Sequence, residues 1–459
     1  MNRRADWCLS LAALGCVALL VARAAGVFHQ SLYVFTTGME EESLFAIWKW
    51  VHHQPVYASA FEPPFAQSYF NWLFYSFYGA FCAAALSLAE LEIPSLARAL
   101  TLSLTVLTLL VVYQLLRPLS LTRRLAGTAI IACNPLVGFW SLTTRPDVGA
   151  LAFGLLGLWC LLQSEKARSA VLWLSFAFIF FYCSWAFKQT YLIAFVATFL
   201  HFALARRWRE AAWFGGATLL ALALTVVLAT PEYRYAAFGS QTNLSLLPST
   251  LVRNASRALL KAPLFLFGLI PVVNTLRRDR TNPIALWAAL SLPIMLVASA
   301  KTGASENYFF ESAALCSILF LLEGRYLIPA SFAQFLSPVL IATGLAGVLF
   351  VQAEPELALI PKTLAHLPGP VLVTANGGNL PWFQPYSPHF VVASTYFYDR
   401  EAGKPFALGG IQGMLRSRQI AVLVCPRDQV NRPVDGVVPS SLRKLAEDAR
   451  WVYFSTQTD

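Results

Sequence analysis

Charge is what this chain has least of. Asp, Glu, Lys and Arg make up 13% of its 459 residues, while apolar residues make up 57%. That balance excludes a soluble domain as the main body, because such domains carry roughly a quarter of their residues charged. With a mean hydropathy of +0.57, the chain falls among polytopic membrane proteins. Paired cysteines are missing too. Most of the eight (Cys8, Cys16, Cys133, Cys160, Cys183 and Cys316 among them) lie inside apolar runs, and no C-x-x-C occurs. Neither a zinc site nor a disulfide framework is indicated. No internal repeat or low-complexity tract is visible. The net charge of +10 would suit a nucleic-acid partner. However, the arginines sit in short clusters between apolar runs, as the positive-inside bias of membrane proteins requires.

Apolar runs able to cross the hydrocarbon fall at 7–28, 98–116, 125–142, 148–162, 170–187, 191–205, 212–229, 262–276, 283–300, 308–322 and 330–351. The first starts behind Arg3 and Arg4 and ends near Ala22-Arg23-Ala24. The arginine makes a poor signal-peptidase site, so this run reads as an uncleaved span. A twelfth candidate, 69–88, decides the topology. The basic clusters are Arg3/Arg4, Arg117/Arg123/Arg124, Lys166/Arg168, Arg206/Arg207/Arg209, Arg277/Arg278/Arg280 and Arg325, fourteen cations in all. They share one side only if 69–88 does not cross, so that stretch reads as in-plane or re-entrant. The expected architecture is a polytopic α-helical membrane protein of about eleven spans, in the inner (plasma) membrane, with its N-terminus inside and C-terminus outside.

This topology gathers the unusual polar residues on the outer face. The stretch 35–78 opens with Glu40, Glu41 and Glu42. Leu44, Phe45, Ile47, Trp48 and Val51 then recur at near-helical spacing. They predict a helix lying in the membrane interface, apolar face down, broken by Glu62-Pro63-Pro64. The outer face also receives the run Thr143 to Asp147, Lys188-Gln189-Thr190, the loop 231–261 with Arg253, and the run 301–308 with Lys301, Asn307 and Tyr308. Each has a plain structural reading. Carboxylates beside a bilayer are often solvated, Asp147 behind Arg145-Pro146 suits a helix cap with an internal ion pair, and Lys188 suits snorkelling. Glu311, a turn inside an apolar run, needs a partner, for which Lys301 and Arg145 are candidates. One-sidedness of this kind is what an active site at the outer leaflet would produce.

The composition changes near residue 352. Four prolines (Pro355, Pro361, Pro368 and Pro370) mark a linker. Beyond it, 371–374, 390–393, 420–424 and 451–454 read as strands, and 411–418 and 440–449 as helices. The chain therefore divides into a transmembrane domain, 1–352, and a small extracytoplasmic α/β domain, 353–459. Asn376-Gly377-Gly378-Asn379 reads as a turn and lacks the glycine pattern and lysine of a phosphate loop.

In this order the residues resemble the GT-C superfamily of membrane glycosyltransferases, specifically bacterial relatives of the protein-mannosyltransferase and aminoarabinose-transferase type. The resemblance covers about residues 7–351. It is carried by Glu41-Glu42, Tyr57, Pro63-Pro64 and the aromatic stretch that follows, then by Asp147 in Thr-Arg-Pro-Asp, and by the Lys188-Gln189-Thr190 and Asn307-Tyr308-Phe309 runs. The first acidic residue is Glu where the family more usually has Asp, which leaves open which of the three glutamates faces substrate.

The resemblance implies transfer of a sugar from a polyprenyl-phosphate donor to an acceptor (glycan, lipid or protein) at the outer face, with inversion. Glu41, Glu42 and Asp147 are the implied catalytic residues. Arg145, Tyr57, Lys188, Gln189, Arg253, Lys301, Asn307 and Tyr308 are the implied substrate-binding set. A carboxylate takes the acceptor's proton, and cations stabilise the departing phosphate. No cofactor is required, though hard oxygen ligands on Glu41 and Asp147 would suit magnesium or manganese. The rival reading is a transporter or flippase of an anionic lipid-linked solute. It fits less well, since transporter sites lie near the midplane, often between repeats. A non-catalytic scaffold in envelope assembly is the third reading.

Overall fold

The computed structural model describes residues 3–30, 32, 34, 39–85, 93–166, 169–240, 244–324, 326–344, 357, 359–367, 369–375, 377–384 and 386–456. Arg168, Arg325, Pro355, Pro368, Asn376 and the distal ends of the 69–88 and 330–351 runs lie outside these residues.

The helical part contains α1 (Arg3–His29), α2 (Met39–Val51), α3 (Trp72–Ala85), α4 (Ile93–Leu115), α5 (Leu121–Cys133), α6 (Pro135–Trp140), α7 (Asp147–Ser164) and α8 (Ala170–Phe187). It continues with α9 (Ile193–Leu204), α10 (Trp208–Leu228), α11 (Pro231–Arg234), α12 (Pro248–Lys261), α13 (Pro263–Arg278), α14 (Pro283–Ser299), α15 (Phe310–Glu323) and α16 (Leu327–Gly344). Among the described residues, five helices (α1, α4, α7, α8 and α10) are long and apolar enough to cross a membrane; α12 and α13, bent by 95°, add a sixth if they count as one span. Shorter apolar helices are Trp72–Ala85, Gln189–Leu204, Pro283–Ser299 and Leu327–Ala342.

The apolar run 125–142 is not continuous. Asn134 interrupts it, its side chain accepting from the N–H groups of Leu136 and Val137 at 3.0 Å each and capping α6. That is the expected use of Asn before a proline-led helix. The 14 residues of α3 span about 21 Å at 1.5 Å per residue, short of a ~30 Å hydrocarbon core.

The bundle is drawn together where one helix lacks side chains. A Cβ on Gly157 of α7 would lie 2.7 Å from the Phe181 ring of α8, and one on Gly268 of α13 would lie 2.3 Å from the Cys316 carbonyl of α15. These pairs therefore pack closer than any larger residue allows.

The helix expected behind the three glutamates is present as α2, but it has no single apolar face. Glu40, Glu42 and Ser43 are buried along with Leu44, Phe45, Ala46, Ile47 and Lys49. Packing against α3 and α4 covers part of its surface, and the C-terminal unit covers another part, so it is an internal strut. The helix ends at Val51, well before Glu62-Pro63-Pro64.

The C-terminal unit carries β1 (Val371–Val373), β2 (Val422–Pro426), β3 (Arg443–Glu447) and β4 (Trp451–Ser455), with short helices α17 (Leu359–Leu364), α18 (Tyr396–Glu401) and α19 (Gly410–Arg416). The sheet order is β1-β2-β4-β3. Strands β1 and β2 run parallel, and β4 is antiparallel to both β2 and β3. Two expectations are corrected. Residues 440–449, with helix-forming composition, instead hold β3, because pairing to the buried β4 across a bulge at Lys444/Ala446 outweighs local propensity. Residues 390–393 join no strand: Ala393 N–H donates to Phe65 O of the first loop at 2.8 Å.

That bond is one of several tying the unit down. Ala407 N–H donates to Phe61 O at 2.8 Å, Trp382 Nε1 to Leu32 O at 2.9 Å, and Tyr69 Oη lies 3.0 Å from Thr395 Oγ1. The C-terminal unit is docked onto the segment between α1 and α3, chiefly onto its part after α2.

Candidate functional site

Asp147 is the first residue of α7, and its side chain makes no capping bond. Its carboxylate is instead the centre of a buried charge cluster. Oδ1 accepts from Lys188 Nζ and from Asn307 Nδ2, the latter at 2.7 Å. Arg145 Nε lies 3.5 Å from Oδ2, so the internal ion pair is present without the cap. Each cation also rests on a ring: Arg145 over Trp140 at 4.6 Å and Lys188 over Tyr308 at 4.7 Å. Gln189 Nε2 donates to the carbonyls of Tyr69 and Ala237, at 2.8 and 3.1 Å, and fixes the turn between α8 and α9.

Around this cluster is a cavity of about 250 Å³, whose lining includes Arg145, Lys188, Gln189, Lys301, Asn307 and Tyr308. Six of the residues singled out from sequence are thus brought together. Three of them are cationic, and such a pocket stabilises an anionic group far better than water does, because the charges are fixed and partly desolvated.

Other expected members are elsewhere. Arg253 is exposed on α12 and does not line the cavity; the helix turn that carries it points the side chain outward. Tyr57 donates to Phe70 O at 2.7 Å, packs edge-on to Tyr75 and Tyr233, and does not line the cavity. Glu311 is buried, but its hydrogen-bond partner is the Trp287 indole N–H, not Lys301 or Arg145.

The three adjacent glutamates have three separate environments. Glu40 is structural: its Oε1 takes Arg98 Nη2 at 3.2 Å and the Thr144 N–H at 3.1 Å, joining α2 to α4 and to the turn before α7. Glu41 accepts the Gly377 N–H and borders a separate cleft in the C-terminal unit; burial raises its carboxyl to about 7. Glu42 accepts from the Ser394 N–H, with its other oxygen buried and unpartnered. Burial raises it to about 8, against the opposing pull of the Ser394 bond and the Arg145 charge. All three lie in the first turn of α2, where side chains tilt toward the helix N-terminus, so Glu41 and Glu42 flank the same end.

Arg98 and Ser394 were not anticipated. Arg98, an arginine at the edge of an apolar run, carried a usable signal, since an intramembrane charge demands a partner. Ser394 carried none.

A divalent ion between Glu41 and Asp147 does not fit this arrangement. The Asp147 oxygens are engaged by Lys188, Asn307 and Arg145, and Glu41 faces the Gly377 backbone. Among the described residues, no group of three or more His, Cys, Asp or Glu is placed to hold a metal.

The described residues define a helical protein with several helices long and apolar enough to cross a membrane and a small C-terminal sheet. Among solved structures it is similar to ArnT from Cupriavidus metallidurans. In the apo state the match covers 97% of this chain and 98% of that one, at TM-score 0.61 and 12% identity. ArnT bound to undecaprenyl phosphate matches over 97% of each chain, at TM-score 0.62 and 13% identity. The archaeal oligosaccharyltransferase AglB from Archaeoglobus fulgidus, in complex with an inhibitory peptide and a dolichol-phosphate, matches over 90% of this chain and 69% of its own, at TM-score 0.53 and 12% identity. At such identities the likeness is one of fold. No protein-family model matches the chain, and no curated protein matches it in sequence.

Proposed function

We propose that this protein is a glycosyltransferase that moves a sugar from a polyprenyl-phosphate donor to an acceptor at the outer face of the inner membrane, with its C-terminal unit outside the cytoplasm. The observation that carries this reading is the 250 Å³ cavity edged by Arg145, Lys188 and Lys301, which suits the phosphate of a lipid-linked sugar. Support comes from two structural neighbours, ArnT and AglB, solved with undecaprenyl phosphate and with a dolichol-phosphate respectively.

In the proposed reaction the donor phosphate lies against the three cations and the sugar sits off the N-terminal end of α2. An acceptor hydroxyl attacks the anomeric carbon and its proton passes to the Glu41 carboxylate. The bond from that carbon to the phosphate oxygen breaks, releasing polyprenyl phosphate. A single displacement inverts the anomeric configuration. Glu41 suits the role of base because it borders an open cleft and titrates near neutrality. Asp147 is a positioning residue that aims Lys188 and Arg145. The basic clusters at the opposite loop ends favour this orientation in the membrane.

Purified full-length protein incubated with a panel of labelled polyprenyl-phosphate sugars and envelope acceptors tests the proposal. Transfer of label, with release of polyprenyl phosphate, is expected. Tight binding of the lipid without transfer for any sugar would favour the flippase reading.

A further inference from the structure

The C-terminal unit contains a second cavity, about 470 Å³, within the ~300–1,000 Å³ range of small-molecule sites. Its position is set by the sheet. Thr374 directly follows β1, and Gln429 and Arg432 lie in the segment that leaves β2; both residue sets line the cavity. Strands β1 and β2 are the parallel pair. The cavity therefore sits outside the carboxyl ends of parallel strands, where diverging loops of open α/β sheets leave a crevice for ligands.

The lining is polar and incompletely satisfied. Thr374 Oγ1 is buried without a hydrogen-bond partner. Arg432 is exposed and makes no ion pair among the described residues. Phe397 is 50% exposed. Ser394 and Glu41 complete the wall next to α2. One wall is held rigid from behind: Asp435 accepts from Arg400 Nε at 2.6 Å, from Tyr396 Oη at 3.0 Å and from the Gln412 N–H at 2.9 Å. That fixes the Pro433–Val434 segment beside Arg432.

Hydroxyl, amide and carboxyl groups around an aromatic ring match the alternating polar edges and apolar faces of a sugar. A guanidinium at the rim matches a carboxylate or phosphate, which it grips through two parallel N–H bonds. We infer that this cleft binds an anionic saccharide, a sugar unit carrying a carboxylate or phosphate, as the recognition element of the acceptor. The assignment to the acceptor rests on the transfer reaction proposed above; the binding itself does not. The cleft is also close to the chemistry, since Ser394 lines it and donates its N–H to Glu42, the neighbour of Glu41.

Isothermal titration of the detergent-solubilised full-length protein with glucuronate, glucose 6-phosphate, glucose and inorganic phosphate tests this. One of the two anionic sugars is expected to bind at least about tenfold more tightly than glucose, the order of a charged hydrogen bond. Which of the two prevails identifies the anionic group. Arg432→Gln should erase that preference, and Thr374→Val should weaken all three sugars. Absence of saccharide binding overturns the inference. So does an unchanged preference in Arg432→Gln, or inorganic phosphate binding as tightly as glucose 6-phosphate. Arg432 is exposed, so its substitution leaves folding intact. Undecaprenyl phosphate binding by the same preparations separates the two readings. Its loss in the unaltered protein sinks the transfer proposal and leaves the cleft result standing, while its retention beside an empty cleft sinks this inference alone.

Discussion

Lys188 and Asp147 form an ion pair that joins the C-terminal end of α8 to the first residue of α7, with side chains 6% and 1% exposed. Arg145 and Asn307 complete the shell around the same carboxylate. Through these contacts Asp147 holds the two cations in place.

Asp147→Asn should cost about 3–5 kcal/mol of stability, because it leaves two cations buried without their counter-charge. Denaturant or thermal unfolding in detergent measures it. A loss of about 1 kcal/mol or less would mean that the pair is solvated and the cluster is not what orients Lys188.

Glu41→Gln keeps the size and hydrogen bonding of the side chain but cannot accept a proton. Transfer should fall by about 10²–10⁴-fold with donor binding little changed. Glu40→Gln should act differently, weakening the Arg98 and Thr144 contacts and lowering stability. If Glu42→Gln abolishes transfer while Glu41→Gln does not, the base is the neighbouring residue.

Glu41 also sets a pH dependence. Burial raises it to about 7, so the ionised base is scarce below that pH and transfer should climb through about pH 7 to a plateau. Stability should run the other way. The carboxyls of Glu41 and Glu42 ionise near 4.5 in the unfolded chain but near 7 and 8 in the fold. Between those values the folded state binds more protons, so the stability they leave intact at low pH is lost as pH rises. Unfolding midpoints of the protein and of the Glu41→Gln/Glu42→Gln double variant should converge at low pH and separate between about pH 5 and 8. Parallel curves would contradict the burial-raised values.

Lys301→Gln should weaken undecaprenyl phosphate binding by about tenfold, the worth of a charge-assisted hydrogen bond. Measuring the affinity at two salt concentrations adds a check: the variant should show the weaker salt dependence.

Gly268→Ala tests the bundle itself. The new methyl group would meet the Cys316 carbonyl at 2.3 Å, so α13 and α15 must separate. A loss of about 1–3 kcal/mol is expected. An unchanged unfolding midpoint would show that the two helices do not pack this closely.

The residues around the cation cavity were legible in the sequence because each violates its surroundings. Lys188, Lys301 and Asn307 interrupt or border apolar runs, and a polar residue there needs a partner wherever it goes. The arginine clusters led to the expectation that these residues share one side. Arg253 failed for the same reason that the others succeeded. A cation between apolar runs is not forced inward unless apolar residues surround it, and α12 leaves it exposed.

Sequence alone determined the membrane class, most of the helices and several of the polar residues that meet at the cation cavity, because apolar periodicity and charge scarcity are local properties that water and lipid read directly. Tertiary structure decided the pairings. Glu40, Glu41 and Glu42 are chemically identical neighbours, yet one meets Arg98, one Gly377 and one Ser394, partners 58 to 352 residues away or brought in by the docked C-terminal unit. Glu311 chose Trp287, and residues 440–449 became a strand because β4 offered a buried partner edge. The free energy of a buried charge or an unpaired strand depends on what packs against it, and that information resides in contacts, not in spacing.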